Sequence, residues 1–394
     1  MLSKQVFDFQ MKTKTKFGPG IFKKLPEIIN DLGFRRVGIV IDPAVYKNEK
    51  AKKILDDCAE KYKTSTHIYK LKGEPSYDYL DQTKPEFMEN GKSKVDCFVG
   101  IGGGSCMDFA KGLSTLVVNE GLSIEYRGFP KGINPSLPMI AVPTTSGTGS
   151  ELAYNAVFVE TKEKKKLGIN TESNYPIMAI LDPELTLTCP ERVTISSGLD
   201  TLVHALESFV SRKANFMSRF YSKEAFNLII NNLPRVIDKP DDIEARSQMM
   251  IAAYWAMAAL SNSSSGPAGA LSYLLGAQYN TPHGIAGGVF VGRITRINHD
   301  LGYYEYSELF DAISDKNAAK KLTQRDKSQA VVIKIEKLLG DLKVPRHLSC
   351  FGVKKEDYDL FYKHATEIYK AAFDLNPVFI KEKEIAEMLK EMIL

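Results

Sequence analysis

Three stretches of the sequence combine residue types and spacings that can do chemistry. The first is GGGS, Gly102 to Ser105, between the apolar run VDCFVGI and the amphipathic SCMDFAKGLSTLVV. Glycines lack Cβ, so the backbone there can approach a phosphate closely. A helix starting near Ser105 adds unpaired N–H groups and the positive end of its dipole. Alone, such a turn can equally just close a strand–helix corner. The second stretch is VPTTSGTGSE, Val142 to Glu151, where Thr144, Thr145, Ser146, Thr148 and Ser150 surround two glycines. Hydroxyls and exposed amides are suitable donors to a pyrophosphate, a ribose or an amide. Two such loops after two strands of one sheet favour a nucleotide site over two plain polar turns. A strict GxGxxG is absent, so this is not the common dinucleotide fingerprint. The third stretch is SGLDTLVHALESF. Asp200 and His204 are four apart and share one helical face. That spacing suits two ligands of one metal ion, and equally an intrahelical hydrogen bond or a core histidine. His283, in NTPHGIAGG, sits between proline and glycine, either rigidly aimed or simply a loop residue.

The elements that must position these residues fall into two patterns. In the first half, RRVGIVID, THIYKLKG, VDCFVGIG and LPMIAVP read as buried strands, with helical stretches such as AKKILDDCAEKY and SCMDFAKGLSTLVV between them. Strands alternating with helices predict a parallel, doubly wound sheet, whose ligands sit at the carboxyl ends of the strands. From about Cys189 the strand runs stop. GLDTLVHALESFV and KEIAEMLKEMIL place apolar residues at i, i+3, i+4 and i+7, the helical period. The expectation is an α/β dinucleotide-binding domain over residues 1–187 and an all-helical domain over 188–394. The change falls near LDPELTLTCPERV, where prolines flank a short turn.

The totals exclude several classes. A net charge of +4 with short lysine clusters, Lys12 to Lys16 and Lys162 to Lys166, is a solvated surface rather than a nucleic-acid footprint. Five cysteines without a CxxC pair argue against disulfides and a cysteine zinc site, and fit a reducing cytoplasm. The N-terminal residues lack the apolar core of a signal peptide. The most apolar stretch, Ile251 to Leu260, is too short to span a bilayer.

Five motifs occur in a fixed order: GGGSxxDxAK (Gly102 to Lys111), PTTSGTGSE (Pro143 to Glu151), LDPELT (Leu181 to Thr186), Asp200-x-x-x-His204 and PHG (Pro282 to Gly284). With DLNP (Asp374 to Pro377), this set resembles the iron-containing, or group III, alcohol dehydrogenase family over nearly the whole chain. The resemblance implies the dehydroquinate synthase-like fold of that family, an α/β nucleotide-binding domain plus a helical domain with the active site between them. It implies that Gly102, Gly103, Gly104 and Ser105 hold the pyrophosphate of NAD(P), and that Asp108, Thr144, Thr145, Thr148 and Lys166 line the cofactor. Asp200, His204 and His283 would be ligands of a divalent metal, Fe or Zn. Asp42 ends the strand where the family tests the adenosine ribose, and a carboxylate there repels a 2′-phosphate, which favours NAD over NADP. Asp42 also reads as a turn-starting aspartate before Pro43. A small-molecule alcohol or aldehyde substrate and a homodimer are expected.

The sequence departs from that pattern at two positions. A fourth family ligand, a histidine fourteen residues before that of PHG, is Gly269 here, and a second family histidine is Tyr273. Three donors can still hold an ion with open positions, and Gly269→His is expected to complete the shell. Without an ion, as described for maleylacetate reductases, Tyr273 or His283 would have to move the proton as general acid or base. KKKLGIN (Lys164 to Asn170) and the pair Ser272-Tyr273 look like the branch that oxidises the sugar acid deoxy-octulosonate, which points to a polyhydroxylated or sugar-derived substrate. The alternatives are an NAD-using cyclase or lyase of the dehydroquinate synthase type and a nucleotide-binding protein that has lost catalysis.

Overall fold

The computed structural model describes residues 6–70, 74–162, 165–314 and 321–394. They form two compact units, Met11–Cys189 and Pro190–Leu394, the second joined by the described N-terminal residues up to Gln10.

The first unit is built on a parallel sheet of six strands: β1 (Lys14–Phe17), β2 (Arg36–Ile41), β3 (Lys63–Ile68), β4 (Cys97–Gly102), β5 (Met139–Pro143) and β8 (Met178–Leu181). Their spatial order is β1-β8-β5-β4-β2-β3. Strands β4, β5 and β8 are buried at every residue, as parallel strands covered on both faces are. The helices α1 (Leu25–Asp31), α2 (Pro43–Tyr46), α3 (Glu49–Lys61), α4 (Tyr77–Thr83) and α5 (Gly104–Leu116) connect them. A separate antiparallel hairpin pairs β6 (Val157–Glu160) with β7 (Lys165–Gly168).

The chain runs outward from β2 to β3, then returns to the other side of β2 as β4 and continues to β5. The direction of winding therefore reverses between β2 and β4. A crevice opens beyond the carboxyl ends of strands at such a switch point. Asp42 follows β2 and the glycine turn ends β4, so the topology delivers both to that place. The strand expected over THIYKLKG instead begins at Lys63 and ends at Ile68; residues 71–73 of that stretch lie outside the described residues.

The second unit is helical: α6 (Glu191–Val210), α7 (Phe216–Asp238), α8 (Ile243–Ser261), α9 (Pro267–Tyr279), α10 (His283–Asp300), α11 (Gln324–Asp341), α12 (Tyr358–Lys363), α13 (Lys370–Asp374) and α14 (Glu382–Ile393). Helix α6 is buried along nearly its whole second half, from Gly198 to Val210. It contributes Leu199, Leu202, Leu206 and Phe209 to a core shared with α7, α8, α9 and α10. Helix α10 meets α6 through glycines. Added Cβ atoms at Gly287 and Gly288 would lie 3.0 Å from Val203 and 3.1 Å from Leu199. Among the described residues no helix is long and apolar enough to cross a membrane.

Candidate functional site

In the first unit the glycine turn is packed from both sides. The backbone N–H of Thr144 donates to Gly102 O at 3.0 Å and that of Asp42 to Ile101 O at 2.9 Å. An added Cβ at Gly102 would lie 2.6 Å from Cys106 Cβ and 3.3 Å from Asp42 Cβ. One at Gly104 would lie 2.5 Å from Thr148 Cγ2 and 3.0 Å from its Cβ. At Gly103 the nearest atom would be Thr145 Oγ1, at 3.4 Å. The structure thus brings together Asp42, Gly102, Gly103, Gly104, Thr144, Thr145 and Thr148. Gly103 caps α5 in extended backbone with no side chain over the helix end, and Ser105 is the second residue of that helix. Cys106 N–H donates to Gly103 O at 3.1 Å, so the N–H groups of Gly104 and Ser105 are the ones the helix end offers to a ligand.

Asp42 is also a helix cap. Its Oδ1 accepts from Ala44 N at 2.8 Å and caps α2. The two readings of this residue, ribose partner and turn starter, are compatible in space because one carboxylate has two oxygens.

Two expected cofactor residues have other employment. Asp108 Oδ1 accepts from Ser150 Oγ at 2.5 Å and its Oδ2 from Val157 N at 3.0 Å. Lys111, fully buried, donates to Ser150 O at 2.7 Å, Ser150 Oγ at 2.6 Å and Asn155 O at 3.0 Å. Burial pushes the Asp108 carboxyl up and the Lys111 ammonium down, and each charge opposes the shift of the other. Asp108 therefore braces the 144–157 loop. Lys166 on β7 has a side chain only 3% exposed, and its ammonium donates to Glu74 Oε1 at 2.9 Å. Its charge is met by a carboxylate of the protein. Sequence reasoning missed Lys111; a lysine inside a helical run with apolar or small residues around it was the available signal.

In the second unit Asp200 is a hub. His204 Nε2 lies 3.5 Å and His283 Nε2 3.8 Å from the same oxygen, Asp200 Oδ1. Asp200 and His204 come from one face of α6. His283 opens α10, and Gly284 explains how it arrives: a Cβ there would fall 1.7 Å from Ser196 O and 3.1 Å from Asp200 Cβ. Only glycine lets the start of α10 touch the α6 backbone, and that contact sets His283 over Asp200. His299 lies sixteen residues further along α10, roughly 24 Å away by helix rise, and its Nδ1 meets Ser328 Oγ at 2.8 Å.

Both nitrogen–oxygen distances exceed a hydrogen bond, which ends near 3.2 Å. Ligands about 2.1 Å from a tetrahedral ion stand ~3.4 Å from each other. The donor types suit a divalent ion, but among the described residues no group of three or more His, Cys, Asp or Glu is already arranged to hold one. His204 Nδ1 is buried and has no hydrogen-bond partner among the described residues. Tyr273 lies against the hub, its ring centroid 5.0 Å from that of His283.

Gly269 offers no side chain, and the space is taken. An added Cβ would lie 2.3 Å from Ser265 Oγ and 2.8 Å from Glu207 Oε2. Glu207, buried on α6, accepts from Ser265 Oγ and from the N–H groups of Gly266, Ala268 and Gly269, at 2.7–3.1 Å. It caps α9 from a neighbouring helix. Burial pushes its carboxyl up and those four donors pull it back.

A parallel sheet with a glycine turn at its switch point, together with a histidine–aspartate hub in a helical unit, defines a nucleotide-dependent oxidoreductase scaffold. The sequence profile described as "Iron-containing alcohol dehydrogenase" matches residues 12–183, and "Fe-containing alcohol dehydrogenase family, C-terminal" matches 194–393. The chain belongs to the iron-containing alcohol dehydrogenase family, whose members use NAD and a divalent metal. It is 31% identical to a sulfoacetaldehyde reductase of Bilophila wadsworthia, over 87% of this chain and 88% of that protein. The solved structure of a 1,3-propanediol oxidoreductase is similar with a TM-score of 0.89 and 27% identity, covering 99% of this chain and 100% of that one. That of a sulfoacetaldehyde reductase from Bifidobacterium kashiwanohense in complex with NAD+ is similar with a TM-score of 0.87 and 25% identity, covering 98% and 99%.

Proposed function

We propose that this dehydrogenase moves a hydride between NAD(H) and a short alcohol or aldehyde carrying a second polar group. Asp42, Gly102, Gly103, Gly104, Ser105, Thr144, Thr145 and Thr148 receive the dinucleotide. Asp200, His204 and His283 hold a divalent ion. The observation that carries this reading is the hub, with two ring nitrogens facing one aspartate oxygen at separations too long for hydrogen bonds.

A bound nicotinamide would accept a hydride in the oxidative direction while the substrate's hydroxyl proton leaves to solvent, and a bound ion would supply Lewis-acid polarisation of the substrate oxygen. Asp200 supplies the negative charge that retains a cation, and the two imidazoles supply neutral donors. Tyr273, beside His283, supplies a hydroxyl that can hold or pass a proton. The substrate class follows from the relatives, named for propanediol and sulfoacetaldehyde. These relatives lend no support to the sugar-acid expectation, and Lys164 of the KKKLGIN stretch lies outside the described residues.

Ion content and turnover, measured together on wild type and His204→Ala, test the reading. Both should fall about 10-fold or more when the ligand is removed. Wild type that holds no ion and tolerates loss of His204 would defeat it. A loss of about 10²-fold or more in Tyr273→Phe would then place proton transfer on a side chain.

A further inference from the structure

The hydroxyl of Ser272 lies between two groups whose hydrogen-bonding roles can be worked out. Ser272 Oγ is 2.6 Å from Gly269 O, and a carbonyl only accepts, so the single hydroxyl hydrogen is given to Gly269. Ser272 Oγ is also 3.0 Å from His283 Nδ1. With its hydrogen already committed, the oxygen can only accept there, and Nδ1 must carry a hydrogen. A neutral imidazole has one N–H. In the neutral ring the other nitrogen, Nε2, is then a bare lone pair, and it is the atom that faces Asp200 Oδ1 at 3.8 Å. A lone pair and a carboxylate oxygen facing each other repel unless a cation lies between them. The relay His283 Nδ1–H to Ser272 Oγ–H to Gly269 O thus starts at the hub and ends on the backbone of the residue that lacks a ligand side chain. His204 has no such support, since its Nδ1 has no hydrogen-bond partner among the described residues.

We propose that Ser272 is a positioning residue that fixes the tautomer and ring orientation of His283, presenting its Nε2 lone pair to the hub. This rests on the reading of Asp200, His204 and His283 as an ion-binding set. A ligating histidine whose other ring nitrogen donates to a fixed acceptor binds metal more tightly, and losing that partner costs about 10–100-fold in affinity. Ser272 is 1% exposed, and Ser272→Ala removes one oxygen without adding bulk.

The test uses the full chain after dialysis against a chelator. Histidine side-chain nitrogens are labelled with 15N, and the His283 signal is assigned by its loss in His283→Gln. Wild type should show His283 with hydrogen on Nδ1. Ser272→Ala should move it toward the Nε2–H form, and Ser272→Thr, which keeps a hydroxyl, should restore Nδ1–H. Zn²⁺ affinity by competition with a chromophoric chelator should fall about 10–100-fold in Ser272→Ala. An Nε2–H form in wild type, or an unchanged tautomer in Ser272→Ala, overturns the proposal whatever the ion does. Zn²⁺ affinity unmoved by Ser272→Ala overturns the link between tautomer and binding. The expected tautomers in a wild type that binds no Zn²⁺ support the positioning role and defeat the ion-binding reading instead.

Discussion

Glu207 Oε1 accepts a hydrogen bond from the backbone N–H of Gly269 at 3.1 Å, so the position that lacks a ligand belongs to a helix cap. Putting a histidine there is consequently not a simple completion of the hub. Its Cβ would displace Ser265 Oγ, now 2.8 Å from Glu207 Oε2, and crowd that carboxylate oxygen. Gly269→His alone is expected to destabilise the chain by about 1–3 kcal/mol, the scale for disturbing a buried hydrogen-bonded group, and to gain little affinity for Zn²⁺. Gly269→His with Ser265→Gly clears the closest contact and should recover stability and bind Zn²⁺ more tightly than the single variant. Thermal unfolding and chelator competition on both variants decide the matter. A single variant as stable as wild type would show that the cap has slack.

The glycine turn makes a graded prediction. Gly103→Val places its first carbon at ordinary contact from Thr145, so the fold should survive while the branched side chain blocks approach to the phosphates. NAD binding should be lost with little change in unfolding temperature. Gly104→Ala puts a methyl group against Thr148 Cβ at 3.0 Å, and no rotation of the threonine relieves that contact. It should lower the unfolding temperature and NAD affinity together. If Gly103→Val binds NAD normally by calorimetry, the pyrophosphate is not at this turn.

Cofactor choice can be separated from capping at Asp42. Asp42→Ala would remove both the charge and the acceptor used by Ala44 N. Asp42→Asn keeps an oxygen for the cap and removes only the charge. Wild type should prefer NAD to NADP. The preference should shrink about tenfold in Asp42→Asn, equivalent to ~1.4 kcal/mol, with stability little changed. Equal affinity of wild type for both cofactors would remove Asp42 from the ribose.

Glycine turns, hydroxyl-rich loops and the four-residue spacing of Asp200 and His204 are local signals, and so they were legible in the sequence. So was the change from strand to helix near Cys189. What remained hidden depends on contacts between distant segments. Strand β1 is exposed at all four residues and has no apolar pattern; it is a strand because its backbone pairs with β8. Glu207 caps a helix that starts sixty residues later. Ser272 gains its meaning only from what touches its hydroxyl. Asp108 and Lys166 have types suited to a ligand, and only their partners in the fold show that the protein itself uses them.

The buried charges beside the 144–157 loop predict a pH dependence. Glu151 is 2% exposed, and burial raises its carboxyl to about 7, with Lys111 opposing the shift. An acid whose pKa is raised by folding holds its proton more tightly in the native state. Its contribution to stability is complete below the unfolded pKa, near 4.5, and is lost as pH rises through about 7. Wild type should therefore lose stability from pH 5 to pH 8, by roughly 3 kcal/mol at most from this group. Glu151→Gln is neutral throughout and should flatten that part of the profile. The slope from Asp108, whose carboxyl burial also raises, has the same sign and is retained in the variant. Removing Lys111 is the complementary experiment. Lys111→Met leaves the two buried acceptors of Ser150 and the carbonyl of Asn155 without their donor and Asp108 without its cation, and should cost about 3–5 kcal/mol. Denaturant unfolding of the three proteins across this pH range provides the measurement. Parallel profiles for wild type and Glu151→Gln would mean that Glu151 is already ionised in its buried site, held there by the ammonium of Lys111.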